Sequence, residues 1–157
     1  MSIPVEESRS GLRAVFHIRA PREVVWSAVA NLENRVRFSP MGAEHYEVLS
    51  DSPEGLGARV EYLLANEKLE SEIVEIDPWQ DGRARVVEML GASGKRWAKN
   101  TWELADESDA IGVELHTEAT VSGFMEKMAW KTVVKRALEK HLPDALQRMK
   151  DYCESAA

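Results

Sequence analysis

A carboxylate on an otherwise apolar strand face is the residue best placed to do chemistry in this chain. Within Arg83–Leu90, Glu88 shares its parity with Ala84, Val86 and Leu90. Strand side chains alternate between faces, so Glu88 goes wherever those apolar residues go. If that face is covered, burial works against the carboxylate charge unless a cation pairs with it. Arg96 has the parity of Ala98, Asn100, Trp102 and Leu104 and lies across the Gly91–Gly94 turn, which makes it the expected partner. Glu88, Asn100 and Thr117 would then orient a polar group of a ligand, with Trp102 in the wall. A slip of one residue would instead turn Glu88 to water, and the sequence leaves both registers open.

Two further features belong to the last helix. His141 lies on its apolar stripe and is either a general base or a hydrogen-bonded core residue. Met128, with Met125, Met149 and Trp130, forms either a pliable pocket wall, since thioethers fit irregular shapes, or ordinary core. The candidate catalytic residues are therefore Glu88 and His141. The candidate ligand-binding residues are Glu88, Arg96, Asn100, Trp102, Thr117 and Met128. His17, His116 and Glu118 fall on the opposite face of their strands and could in principle hold a metal, but nothing withdraws them from water. No metal and no cofactor is expected. There is no nucleophile elbow, glycine-rich phosphate loop or two-histidine zinc motif.

These side chains need a sheet and a long helix to position them. Leu12, Ala14, Phe16 and Ile18 alternate with Arg13, Val15, His17 and Arg19, a half-buried strand. Pro21 then opens a helix carrying Val25, Trp26, Val29 and Leu32, and a second short helix runs from about Glu33 to Phe38 until Pro40 stops it. Strands are expected at Tyr46–Leu49, Arg59–Leu64, Leu69–Ile76, Arg83–Leu90, Arg96–Leu104 and Val113–Val121. Gln80-Asp81-Gly82 signals a hairpin, and Leu69–Ile76 should end at Asp77-Pro78. Arg59–Leu64 and Leu69–Ile76 alternate imperfectly, so their inward faces stay undecided. From Phe124 onward Trp130, Val133, Val134, Ala137, Leu138, His141 and Leu142 begin a stripe at helical spacing that continues to Cys153, with Pro143 set to kink it. Short links between successive strands favour an antiparallel meander, with the last helix covering one face.

The segment His17-Ile18-Arg19-Ala20-Pro21-Arg22-Glu23-Val24-Val25-Trp26 resembles the strand, Ala-Pro and Val-Trp helix of the START-like, or SRPBCC helix-grip, superfamily that includes the polyketide cyclase/dehydrase and lipid-transport group. Asn34–Pro40 and Ile76-Asp77-Pro78 resemble further stretches of it. The resemblance implies an α+β helix-grip fold: a curved antiparallel sheet of about seven strands around a long C-terminal helix, with two short helices after the first strand. It covers a single domain, 1–157, with an ordered core of about 11–153. It also implies a cavity between sheet and helix that binds or carries a small hydrophobic, lipid- or polyketide-like molecule. A cyclase or dehydratase acting in the same cavity, or an interaction module without a ligand, remain alternatives, because a shared fold does not carry function.

Composition sets outer limits on these readings. The 157 residues suit one domain that can bury a core without staples, and the single cysteine, Cys153, excludes an internal disulfide and a cysteine-cluster metal site. The net charge of −7 opposes a phosphate backbone, so no nucleic-acid partner is expected. Lys127, Lys131, Lys135 and Arg136 read as the solvated face of the last helix. No signal peptide and no run of membrane-spanning length is seen, which points to a cytoplasmic protein without integral membrane association. The polar stretch before Gly11 reads as an unstructured end.

Overall fold

The computed structural model describes residues 2–9, 11–38, 46–64, 67–92 and 94–156. Pro40, expected to end the second helix, and Ser93, within the expected Gly91–Gly94 turn, lie outside the described residues. The elements are β1 (Glu6–Glu7), β2 (Gly11–Ile18), α1 (Arg22–Ala30), α2 (Leu32–Arg37), β3 (Tyr46–Val48), β4 (Arg59–Leu64), β5 (Glu67–Gln80), β6 (Arg83–Ala92), β7 (Lys95–Asp106) and β8 (Ile111–Ala119). The C-terminal helix comprises α3 (Phe124–Ala129), a π-helical turn (Trp130–Val134) and α4 (Lys135–Ser155).

The strands form one antiparallel sheet in the order β1-β2-β8-β7-β6-β5-β4-β3, in which β3 to β8 are a meander and β2 closes against β8. From Leu12 onward β2 alternates as expected, with Leu12, Ala14, Phe16 and Ile18 buried and Arg13, Val15 and His17 exposed. The inner face of the sheet, α1 and α4 share one core that includes Ile18, Val25, Val86, Leu146 and Cys153. This is the α+β helix-grip arrangement, with eight strands rather than about seven. No described helix is long and apolar enough to cross a membrane.

Two departures from the sequence reading have local causes. The additional strand is β1: Glu6 and Glu7 pair with Arg13 and Leu12, and Ile3 is buried with its amide donating to the Pro143 carbonyl at 3.3 Å. Residues 2–9 are therefore held by Ile3 and the partly buried Val5 among polar neighbours, a signal too sparse for periodicity to register. Strand β5 runs through Asp77-Pro78 to Gln80, because a register irregularity between Asp77 and Gln80 accommodates a proline that cannot donate to the ladder. A second irregularity between Ile73 and Glu75 is the reason that this strand alternates imperfectly. The hairpin at Asp81-Gly82 forms as expected, with both residues at positive φ, 52° and 76°.

Candidate functional site

The site is built from one level of the sheet's inner face. Ile73 on β5 faces Glu88 on β6, Glu88 faces Asn100 on β7, Asn100 faces Thr117 on β8, and Thr117 faces Leu12 on β2. The ends of this row are apolar and its centre is polar. Glu88 is 2% exposed and Thr117 equally so. One side-chain chain of hydrogen bonds joins them: Thr117 Oγ1 donates to Asn100 Oδ1 at 2.8 Å, and Asn100 Nδ2 donates to Glu88 Oε1 at 2.8 Å. The Trp102 indole, one inward position along β7, donates to the same oxygen at 3.3 Å.

The cation that balances Glu88 is Arg35, from α2. Its Nη2 contacts Glu88 Oε2, and its guanidinium lies over the Trp102 ring, 4.9 Å from the centroid. Helix α2 is placed by Asn31, whose side chain accepts from the Glu33 and Asn34 amides at 3.0 and 3.4 Å. Leu32, Arg35 and Val36 then recur at helical spacing on the face turned to the sheet. Burial lowers the Arg35 guanidinium to about 10, still charged at neutral pH. Tyr62 on β4 adds a hydroxyl 3.3 Å from Ser71 Oγ on β5, and burial raises its phenol above the usual value. Arg35 Nη1 is buried with no hydrogen-bond partner among the described residues.

Above this row α4 supplies an apolar roof, and a cavity of about 180 Å³ remains between the two. His141, Ala145 and Met149 line it from the helix, and Arg35, Glu88, Asn100, Trp102 and Thr117 line it from below. Of the residues singled out from sequence, Glu88, Asn100, Trp102, Thr117 and His141 therefore reach one space.

Two do not. Arg96 pairs on the surface with Glu72, at 3.2 Å. The cause is a register shift: Leu90 faces Ala98 but Gly91 faces Arg96, so the extra residue, Trp97, reverses the parity of everything before it on β7. Met128 is 48% exposed and Met125 80%, and neither lines the cavity. The π-helical turn at Trp130–Val134 inserts an extra residue, so the face of α3 is rotated away from the stripe that α4 presents. Sequence reasoning missed Arg35 and Ser71 and left the face of Tyr62 undecided. The Leu32, Arg35, Val36 spacing was the available signal for the arginine, while Tyr62 and Ser71 depended on registers that the irregular β5 obscured.

The outer-face histidines are separate. His17 lies opposite Gly112 and pairs with Glu107 at 3.0 Å, while His116 lies opposite Arg13 and takes Glu118 at 3.2 Å and Ser8 at 3.0 Å. Between these histidines, Arg13 on β2 forms an ion pair with Glu114 on β8, at 2.7 Å.

Residues 10–154 match the family described as polyketide cyclase / dehydrase and lipid transport. The chain belongs to that family. Solved structures of the same fold include a protein from Arthrobacter aurescens, with 11% identity, 100% of this chain and 94% of that chain covered, and a TM-score of 0.69. The KanY protein has 17% identity, 98% and 99% coverage and a TM-score of 0.68. DynU16, described as a putative protein in the dynemicin biosynthetic locus, has 17% identity over 92% of this chain and 47% of its own, with a TM-score of 0.57. At such identities these likenesses establish the fold. No curated protein matches. Membership of the polyketide cyclase/dehydrase family accounts for the scaffold on which the Arg35–Glu88 cavity is built.

Proposed function

We propose that this family member binds a small hydrophobic molecule, lipid- or polyketide-like in character, in the cavity between the sheet and α4. The observation that carries the reading is the cavity itself: about 180 Å³ beneath the apolar face of α4, with Arg35, Glu88, Asn100 and Thr117 gathered opposite it. Binding sites for small molecules have this composition, an apolar wall with a few convergent polar groups that fix orientation. The family's association with lipid transport supports it. A cytoplasmic location belongs to the same proposal.

Native mass spectrometry of the purified protein, followed by denaturing extraction, tests it. A co-purifying hydrophobic molecule near one per chain is expected, and Ala145→Trp, which fills the cavity from α4, should remove it. A bound molecule that survives this substitution would place binding elsewhere and overturn the reading.

One observation favours a catalytic second reading, of the cyclase or dehydratase type: His141 and Glu88 line the same cavity. Glu88 is already engaged by three side chains, which leaves His141 as the base on an acidic carbon and Arg35 as the donor to a developing oxyanion. His141→Gln should then abolish turnover of a bound polyketide while leaving it bound. Unchanged turnover would remove this reading and leave the carrier.

A further inference from the structure

The polar groups of the cavity are unequal in what they still offer. Glu88 Oε1 already accepts from Asn100 and Trp102, and Oε2 faces Arg35. Asn100 Oδ1 already accepts from Thr117. Two buried side-chain atoms of the site, Arg35 Nη1 and Glu88 Oε2, have no hydrogen-bond partner among the described residues; Oε2 lies against Arg35 Nη2, which leaves the donor Nη1 as the open position. A buried unpaired N–H costs free energy until an acceptor arrives, so the site asks its ligand for an oxygen.

Charge decides which kind of oxygen. Arg35 is already neutralised by Glu88, so a ligand anion would add a second buried negative charge with no cation of its own. A carbonyl, ether or phenol oxygen satisfies the same donor at no such cost. Size narrows the class further. A dry protein cavity of about 150 Å³ holds a benzene ring, and this one is about 180 Å³.

We infer that the cavity is selective for an uncharged, single-ring molecule whose carbonyl or hydroxyl oxygen accepts from Arg35 Nη1, and that Glu88 acts as the built-in counter-ion that excludes carboxylates. This rests on the cavity being the binding site. It makes Glu88 a specificity determinant rather than a base, and it assigns a role to the pair that simple apolar binding does not need.

Acetophenone and benzoate are a matched probe pair, nearly equal in size and differing in charge. Each is titrated into ¹⁵N-labelled protein at pH 7.5, following the Trp102 indole and Thr117 amide signals. Acetophenone is expected to bind at least tenfold more tightly than benzoate. In Glu88→Gln the guanidinium loses its counter-ion and the order should reverse. Benzoate binding as tightly as acetophenone to the unaltered protein would overturn the inference while leaving the cavity as a binding site. A failure of both probes to move either signal would overturn the cavity reading and the inference with it. Glu88→Gln retaining the original preference would show that Glu88 does not set the charge selectivity. Should that variant fail to fold, the comparison on the unaltered protein decides alone.

Discussion

Arg35 and Glu88 are, respectively, 12% and 2% exposed at the side chain, and their energetics differ from those of the surface ion pairs around them. Removing one partner of a buried pair leaves the other charge uncompensated, which typically costs about 3–5 kcal/mol, whereas replacing both with apolar residues is often neutral or stabilising. Arg35→Ala and Glu88→Ala should each lower stability by about 3–5 kcal/mol in urea unfolding, and Arg35→Met combined with Glu88→Leu should recover most of it. Equal losses in the double variant and the singles would show that packing, not charge, dominates the site. Half of this pair was legible in the sequence. Glu88 announced itself through the parity of Ala84, Val86 and Leu90, an argument that needs only one strand. Its partner needed two elements far apart in the chain to be placed together, and the nearer arginine, Arg96, fitted the parity until Trp97 broke it. Period-two arguments fail wherever one extra residue enters a strand, and Gly91, which lies at this bulge inside β6, reads in the sequence as the start of a turn.

At the scale of elements, the closeness of β2 to β8 depends on Gly11. A Cβ built there would stand 1.8 Å from the Thr117 carbonyl oxygen, an overlap that backbone must move to relieve. Gly11→Ala is expected to cost about 1–3 kcal/mol, the range for overpacking. It should also shift the amide signals of Thr117 and Asn100 and weaken binding in the cavity, because Thr117 begins the hydrogen-bond chain that ends at Glu88. A variant with unchanged signals at both positions would show the strands to be more compliant than their packing implies. The seat of α4 on α1 has its own reporter. Cys153 is buried against α1, its Sγ 4.0 Å from the Val24 carbonyl oxygen, and burial pushes its thiol from 9.0 up to about 11. At pH 8 the thiolate fraction is then roughly 100-fold smaller than in the unfolded chain, so labelling by a thiol reagent should be slower by at least that factor. The folded state holds the proton more tightly here, so this contribution to stability is complete below pH 9.0 and is lost as pH rises through about 11. Labelling at the unfolded rate would mean that the C-terminal end of α4 opens readily. The stripe of α4 was legible from its spacing, and the rotation at the π-helical turn was not, because one inserted residue alters phase without altering composition.

For the whole molecule, the architecture followed from connectivity. Short turns between successive strands permit little besides a meander, and a long apolar stripe at the end of the chain has one large face to cover. The cavity did not follow, since its volume depends on how far α4 stands from the sheet, a distance that the sizes of individual side chains set and no pattern encodes. That same space makes ligand occupancy a property of global stability. A molecule held between α4 and the sheet is bound by the folded chain and released on unfolding, so it stabilises by mass action, by about 2.7 kcal/mol when free ligand is at 100 times its dissociation constant. For a domain of this size, 157 residues, each kcal/mol raises Tm by about 2–4 °C. Differential scanning calorimetry at that ligand concentration should therefore show a rise of roughly 5–11 °C with a single transition, because the helix and the sheet form one core. In Ala145→Trp, where the indole occupies the space, the rise should vanish at the same concentration. A rise that persists there would mean that the stabilising ligand binds outside the cavity. Two separated transitions would instead mean that α4 melts from the sheet before the sheet itself unfolds, and that the cavity opens by losing its roof.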